Sequence, residues 1–73
     1  MTAKEMFESL GYNYEKTAFE IFYFIDYWET SDDMFYIGIH FNLDDKNFWS
    51  EVNIDVDELK AINKQVEELG WED

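Results

Sequence analysis

The chain has 73 residues, 18 of them acidic, with five lysines, one histidine and no arginine, for a formal charge of −13. That length makes one domain, residues 1–73, near the lower size limit for folding without a disulfide or a metal, and the lack of cysteine excludes a disulfide framework or thiolate site. With no basic stripe to neutralise phosphates, direct nucleic-acid binding is excluded, and a content of 47% hydrophobic and 21% aromatic residues excludes a disordered acidic tail.

The opening MTAKEMFESL alternates in charge and holds no apolar core, so it does not read as a signal peptide. No uncharged run is long enough to cross a bilayer. These features predict a soluble cytoplasmic domain. Thr2 and Glu5 form a T-x-x-E capping box, and Ala3, Met6, Phe7 and Leu10 follow at helical spacing. Gly11 ends that helix, with Tyr12 placed to fold back towards Phe7.

Past this helix the period changes to two. Phe19, Ile21, Tyr23, Ile25 and Tyr27 alternate with Glu20, Phe22, Phe24, Asp26 and Trp28. Phe35, Ile37, Ile39, Phe41 and Leu43 alternate with Tyr36, Gly38, His40 and Asn42. A third stretch sets Phe48, Val52 and Ile54 against Trp49, Glu51 and Asn53. Polar ETSDD (29–33) and DDKN (44–47) separate the three and suit antiparallel hairpins. Tyr12-Asn13-Tyr14 also alternates, so the first strand can begin as early as Tyr12.

A second helix then starts at a box of Asp55 and Glu58, with Ile54 and Leu59 placed as a hydrophobic staple. Leu59, Ile62, Val66 and Leu69 form its apolar stripe, Gly70 stops it, and Trp71 can return to Val66. The expected fold is α+β: a three-stranded antiparallel sheet flanked by N- and C-terminal helices, α-β-β-β-α. If both helices cover the Ile/Phe face, Phe22, Phe24, Trp28, Tyr36, His40 and Trp49 are left on the other beside Glu20, Asp26 and Glu51. Such an aromatic patch marks an interaction site. The alternatives are one helix on each face, which makes these rings core, or self-association through the patch.

No catalytic constellation is present. His40 lies between Ile39 and Phe41 on a strand and reads as a packed side chain, and Ser9, Ser31 and Ser50 sit in no triad setting. Neither Asp32-Asp33, Asp44-Asp45 nor Asp55–Glu58 matches a calcium loop, and Asp57 and Glu58 suit the positive end of a helix. The sequence therefore implies no enzyme, no cofactor and no metal.

The charge is concentrated. Between Thr17 and Leu59 eleven acids face Lys46 alone, so this stretch carries −10 of the −13. One reading is a solvated surface that keeps a small domain soluble. A sharper one is a surface that imitates DNA, because same-face acids two residues apart on a strand lie ~6.6 Å apart, comparable with successive phosphates. The candidate partner-binding residues are Asp26, Glu29, Asp32, Asp33, Asp44, Asp45 and Glu51, with Trp28, Tyr36 and Trp49.

The segments TAKEMFESLGY and LKAINKQVEELGW resemble the ends of small proteins encoded by phages and prophages of Gram-positive bacteria. The resemblance covers about a third of the chain, at its two ends, and carries no catalytic motif. It implies a phage accessory protein of the kind that disarms host defence. Anti-CRISPR and anti-restriction proteins of that kind occupy the DNA-binding groove or PAM-reading pocket of a nuclease. The expected partner is then a basic surface on a host nuclease or other nucleic-acid-binding protein. The alternative is a small structural or adaptor domain, homodimeric through its aromatic face.

Overall fold

The computed structural model describes residues 1–71 and forms α1 (Ala3–Ser9), β1 (Asn13–Lys16), β2 (Glu20–Trp28), β3 (Met34–Asn42), β4 (Asn47–Ser50) and α2 (Val56–Leu69). The strands make one antiparallel sheet in the order β1-β2-β3-β4. The class is α+β with a helix at each end, but the sheet has four strands rather than three. The extra strand arises because Thr17 turns the chain. Its N–H donates to the Glu20 carbonyl at 2.8 Å, and its hydroxyl accepts from the Phe19 and Glu20 amides at 3.2 and 3.1 Å. Asn13–Lys16 therefore folds back on Ile21–Phe24 instead of extending β2. At the other end β4 stops at Ser50, so Val52 and Ile54 lie beyond the sheet.

Both helices lie on one face of the sheet and meet the same side chain. Phe7 of α1 stacks on Tyr23 with ring centroids 3.9 Å apart, while the Tyr23 hydroxyl donates to Gln65 Oε1 of α2 at 2.5 Å. Ile21, Tyr23, Ile39 and Phe41 from the sheet, with Phe7, Ala61 and Ile62 from the helices, form the buried core. The helices run antiparallel. The Ala3 amide at the start of α1 donates to Glu68 Oε2 near the end of α2 at 2.8 Å, and Ser9 and Leu10 share a shallow cleft with Asp57 and Lys60.

The two helices end alike. Gly11 and Gly70 have φ of 96° and 72°. The next residues, Tyr12 and Trp71, donate to the Phe7 and Val66 carbonyls, each at 3.1 Å, which is the Schellman arrangement. Thr2 and Glu5 bond reciprocally at 3.1 and 2.8 Å, and Glu58 Oε2 accepts from the Asp55 amide at 3.3 Å. The buried stripe of α2 differs from the expected one. Ala61, Ile62 and Gln65 are buried, whereas Leu59 is exposed. Small Ala61 admits close packing in this layer, and the Tyr23 hydroxyl satisfies Gln65, which lets a polar residue take an inward place.

Helical cover ends before the strands do. α1 has seven residues, while β2 and β3 have nine each, roughly 30 Å of strand. Every residue from Asp26 to Tyr36 is exposed, including Tyr27 and Phe35, which the period-two pattern assigns to the buried face. Gly38 marks where the projecting part begins. A Cβ there would sit 1.9 Å from the Tyr23 carbonyl oxygen on β2, a contact that real Cβ atoms do not make.

Gly38→Ala is expected to lower stability by at least about 2 kcal/mol through this clash, measured by urea unfolding. Tyr23→Phe leaves the Gln65 acceptor buried without a partner and is expected to cost about 1–3 kcal/mol. Burial, then the neighbouring Tyr14, Glu68 and Glu8, raises the Tyr23 hydroxyl above the ordinary tyrosine range. A raised folded pKa contributes stability that is complete below about pH 10 and is lost as the pH rises further. Unfolding free energy should thus fall on the alkaline side, with a shallower slope in the Phe variant.

Candidate interaction face

The sheet face opposite the helices carries no covering element among the described residues, and cross-strand register decides what stands on it. Glu15, Phe22, His40 and Trp49 form one row across all four strands, since Glu15 pairs with Phe22, Phe22 with His40 and His40 with Trp49. The rings stack. Phe22 and His40 are 4.1 Å apart at 18°, and His40 and Trp49 are 3.9 Å apart at 3°. Phe24 continues the stack along β2 at 5.0 Å from Phe22 and meets the Tyr36 ring edge-on at 5.0 Å.

The histidine is held in its plane as well as between its faces. Its Nδ1 faces Glu20 Oε1, and its Nε2 lies 2.8 Å from Glu51 Oε1. Glu51 Oε1 also accepts from the Gly38 amide at 3.2 Å, which fixes the carboxylate against the strand. A neutral imidazole has one N–H and can donate to only one of the two glutamates; the imidazolium donates to both. Both ring nitrogens are thus committed to carboxylates and none is directed at open space. Beside this cluster a cleft of about 220 Å³ is lined by Phe19, Glu20, His40, Asn42 and Trp49. Phe19 is 66% exposed there, although strand alternation places it on the helix side.

Beyond Phe24 and Ile39 the character changes. β1 pairs with β2 only over Ile21–Phe24, and β4 with β3 only over Ile39–Asn42. Beyond Gly38, whose carbonyl accepts from the Glu51 amide at 2.9 Å, the rest of β2 and β3 projects as a two-stranded arm with no paired outer edge among the described residues. On it Asp26 pairs with Tyr36, Tyr27 with Phe35 and Trp28 with Met34. The turn at its tip is built by Thr30, whose hydroxyl accepts from the Asp32 and Asp33 amides at 3.3 and 3.2 Å. Glu29, Asp32 and Asp33 are consequently presented outward.

The candidate residues therefore fall into two groups. Asp26, Trp28, Glu29, Asp32, Asp33 and Tyr36 lie on the arm. Asp44 and Asp45 lie in the turn at the opposite end, roughly 30 Å from the tip of the arm along the strands, where Asn42 Oδ1 accepts from their amides at 3.0 and 3.1 Å, and Trp49 stands nearer, in the His40 row. Glu51 sits between the two groups at His40. The residues on β2 between Glu20 and Asp26 that share their face are Phe22 and Phe24, so carboxylates spaced like successive phosphates do not occur along this strand. Glu15 joins the face because the turn at Thr17 makes Asn13–Lys16 a separate strand paired with β2, and Glu20, which alternation places on this face, gains a tie to His40 that depends on register.

Among the described residues no group of His, Asp and Glu side chains converges as a metal site, and no helix is long and apolar enough to cross a membrane. The chain matches no family model, and comparison with curated proteins and with solved structures gives no significant match.

His40→Ala removes the centre of the ring stack and leaves Glu20 and Glu51 without their common partner. The fold should persist with a loss of about 1–2 kcal/mol, a modest value because both glutamates are partly exposed. The Trp49 indole proton should shift strongly in the NMR spectrum, and unchanged shifts would contradict the stacking.

Proposed function

We propose that this chain is a non-enzymatic protein-binding inhibitor. It docks an uncovered aromatic and acidic surface on a basic, nucleic-acid-binding groove of a partner protein and blocks it. The observation that carries this reading is the coexistence, on one uncovered sheet face and its arm, of exposed rings with carboxylates, where the one lysine that borders Phe24, Asp26 and Tyr36 is Lys4 of α1, across a cleft. Aromatic side chains supply the buried area that stabilises an interface, and surrounding acids steer a basic partner and repel acidic ones. In its specific form the proposal is a phage-type inhibitor, anti-CRISPR or anti-restriction, that imitates DNA in the DNA-binding or PAM-reading groove of a host nuclease. The two terminal segments motivate that form. An adaptor that pairs with its own copy through the same rings has the exposed face in its favour and −13 per subunit against it.

The test is affinity capture from a nuclease-treated Gram-positive lysate, challenged first with duplex DNA and then with salt. Recovery of a nucleic-acid-binding protein released by either supports occlusion; recovery of nothing basic rejects it. Reversing charge at Asp32, Asp33, Asp44 and Asp45 to Lys should abolish the capture while leaving the fold intact by circular dichroism. Because the two pairs sit at opposite ends of the sheet, reversing each separately should show which end makes contact. Sedimentation equilibrium separates the adaptor, which would form a salt-insensitive dimer.

A further inference from the structure

We infer that the β2–β3 arm is the inserting element, and that what it imitates is single-stranded nucleic acid rather than a duplex. This rests on the occlusion reading above and deepens it by naming the class of groove. The arm lacks what normally stabilises a strand pair. A two-stranded ribbon is marginal alone in water, yet here Tyr27, Trp28, Met34, Phe35 and Tyr36 are 37–60% exposed, with both edges unpaired among the described residues. A surface of this composition on a projecting element calls for an occupant outside the fold. A second copy is disfavoured, because the arm and its tip carry Asp26, Glu29, Asp32 and Asp33 without one cation.

The chemistry distinguishes between two kinds of basic groove. A duplex keeps its bases stacked inside, so a site for duplex backbone presents donors and cations to phosphates. A groove for a single strand adds aromatic platforms on which unstacked bases lie. The arm offers partners for both features at once. Its tip carboxylates answer the cations, and Trp28, Tyr36, Tyr27 and Phe35 answer the platforms. Rings and acid alternate in adjacent cross-strand rows, with Asp26 opposite Tyr36 and Tyr27 opposite Phe35 at 5.1 Å between centroids. As a single β layer, the arm can also enter a channel too narrow for a duplex.

The test places a photo-crosslinking phenylalanine analogue at Trp28, at Tyr36 and, as a control, at exposed Val56 on α2, in the full chain. Each variant is irradiated in nuclease-treated lysate with oligo(dT) or with a duplex at equal phosphate concentration. The expected result is adducts from both arm positions and none from Val56, lost on adding oligo(dT) and retained with duplex. Trp28→Ala and Tyr36→Ala, both at exposed positions, should each weaken capture about tenfold, as removal of a stacking ring does. Equal displacement by duplex would overturn the single-strand assignment and leave occlusion standing. Adducts no stronger than those from Val56 would overturn the arm as the inserting element. Displacement by neither competitor would overturn this inference and the occlusion reading together.

Discussion

Tyr23 is the point on which the architecture turns. Its ring receives Phe7 from α1, and its hydroxyl reaches Gln65 on α2, so one sheet residue ties both helices to the same face. Had the helices divided between the faces, the rings of Phe22, Phe24 and Trp49 would be core and the domain a closed sandwich. Because both are committed to the Tyr23 side, the opposite face must be stabilised by what stands on it. Stacking of Phe24, Phe22, His40 and Trp49 supplies that layer, with each ring shielding its neighbour from water.

Charge and apolar surface are arranged so that neither defeats the other. The lysines stand on α1, β1, α2 and the β3–β4 turn; Lys4 of α1 borders a cleft with Phe24, Asp26 and Tyr36 at the edge of the uncovered face, and within the ring stack His40 is the one basic group. That group sits between Glu20 and Glu51, at the place where acids from β2 and from the end of β4 approach each other. Glu15 and Asp26 stand on strands, and Glu29, Asp32, Asp33, Asp44 and Asp45 stand in turns at the two ends of the sheet, where water screens their repulsion. Among the described residues no buried side-chain nitrogen or oxygen lacks a partner, so the core accepts Tyr23 and Gln65 without an unsatisfied group.

What the sequence discloses follows the strength of its local signals. Both helix ends are legible because a capping box and a glycine followed by an aromatic specify backbone geometry directly, and the structure contains the corresponding hydrogen bonds. The two polar turns and the alternation of β2 and β3 are legible for the same reason. The turn at Thr17 is not, because Lys16-Thr17-Ala18-Phe19 contains none of the usual turn formers and depends on one hydroxyl. Alternation tells which residues share a face but not how far a covering helix reaches, so Tyr27 and Phe35 read as core. Gln65 and Leu59 exchange roles because the partner of Gln65 lies 42 positions away in sequence. The two-sided bonding of His40 likewise joins three segments that only the fold brings together. Of the candidate residues, sequence identifies the acids and rings, and register divides them between arm and body.

The bond from the Ala3 amide to Glu68 has a consequence for the order in which the domain assembles. Residues 3 and 68 lie 65 positions apart, so on the ribosome α1 and all four strands are made before the helix that joins them on the same face. Each strand, in contrast, pairs with the one made immediately before it through a short turn. The meander can therefore form while Ile21, Tyr23, Ile39 and Phe41 still lack the layer contributed by α2, a stage at which nascent sheets adhere to one another. The acids that interrupt this segment travel with it, and they place like charges on neighbouring nascent chains during that interval.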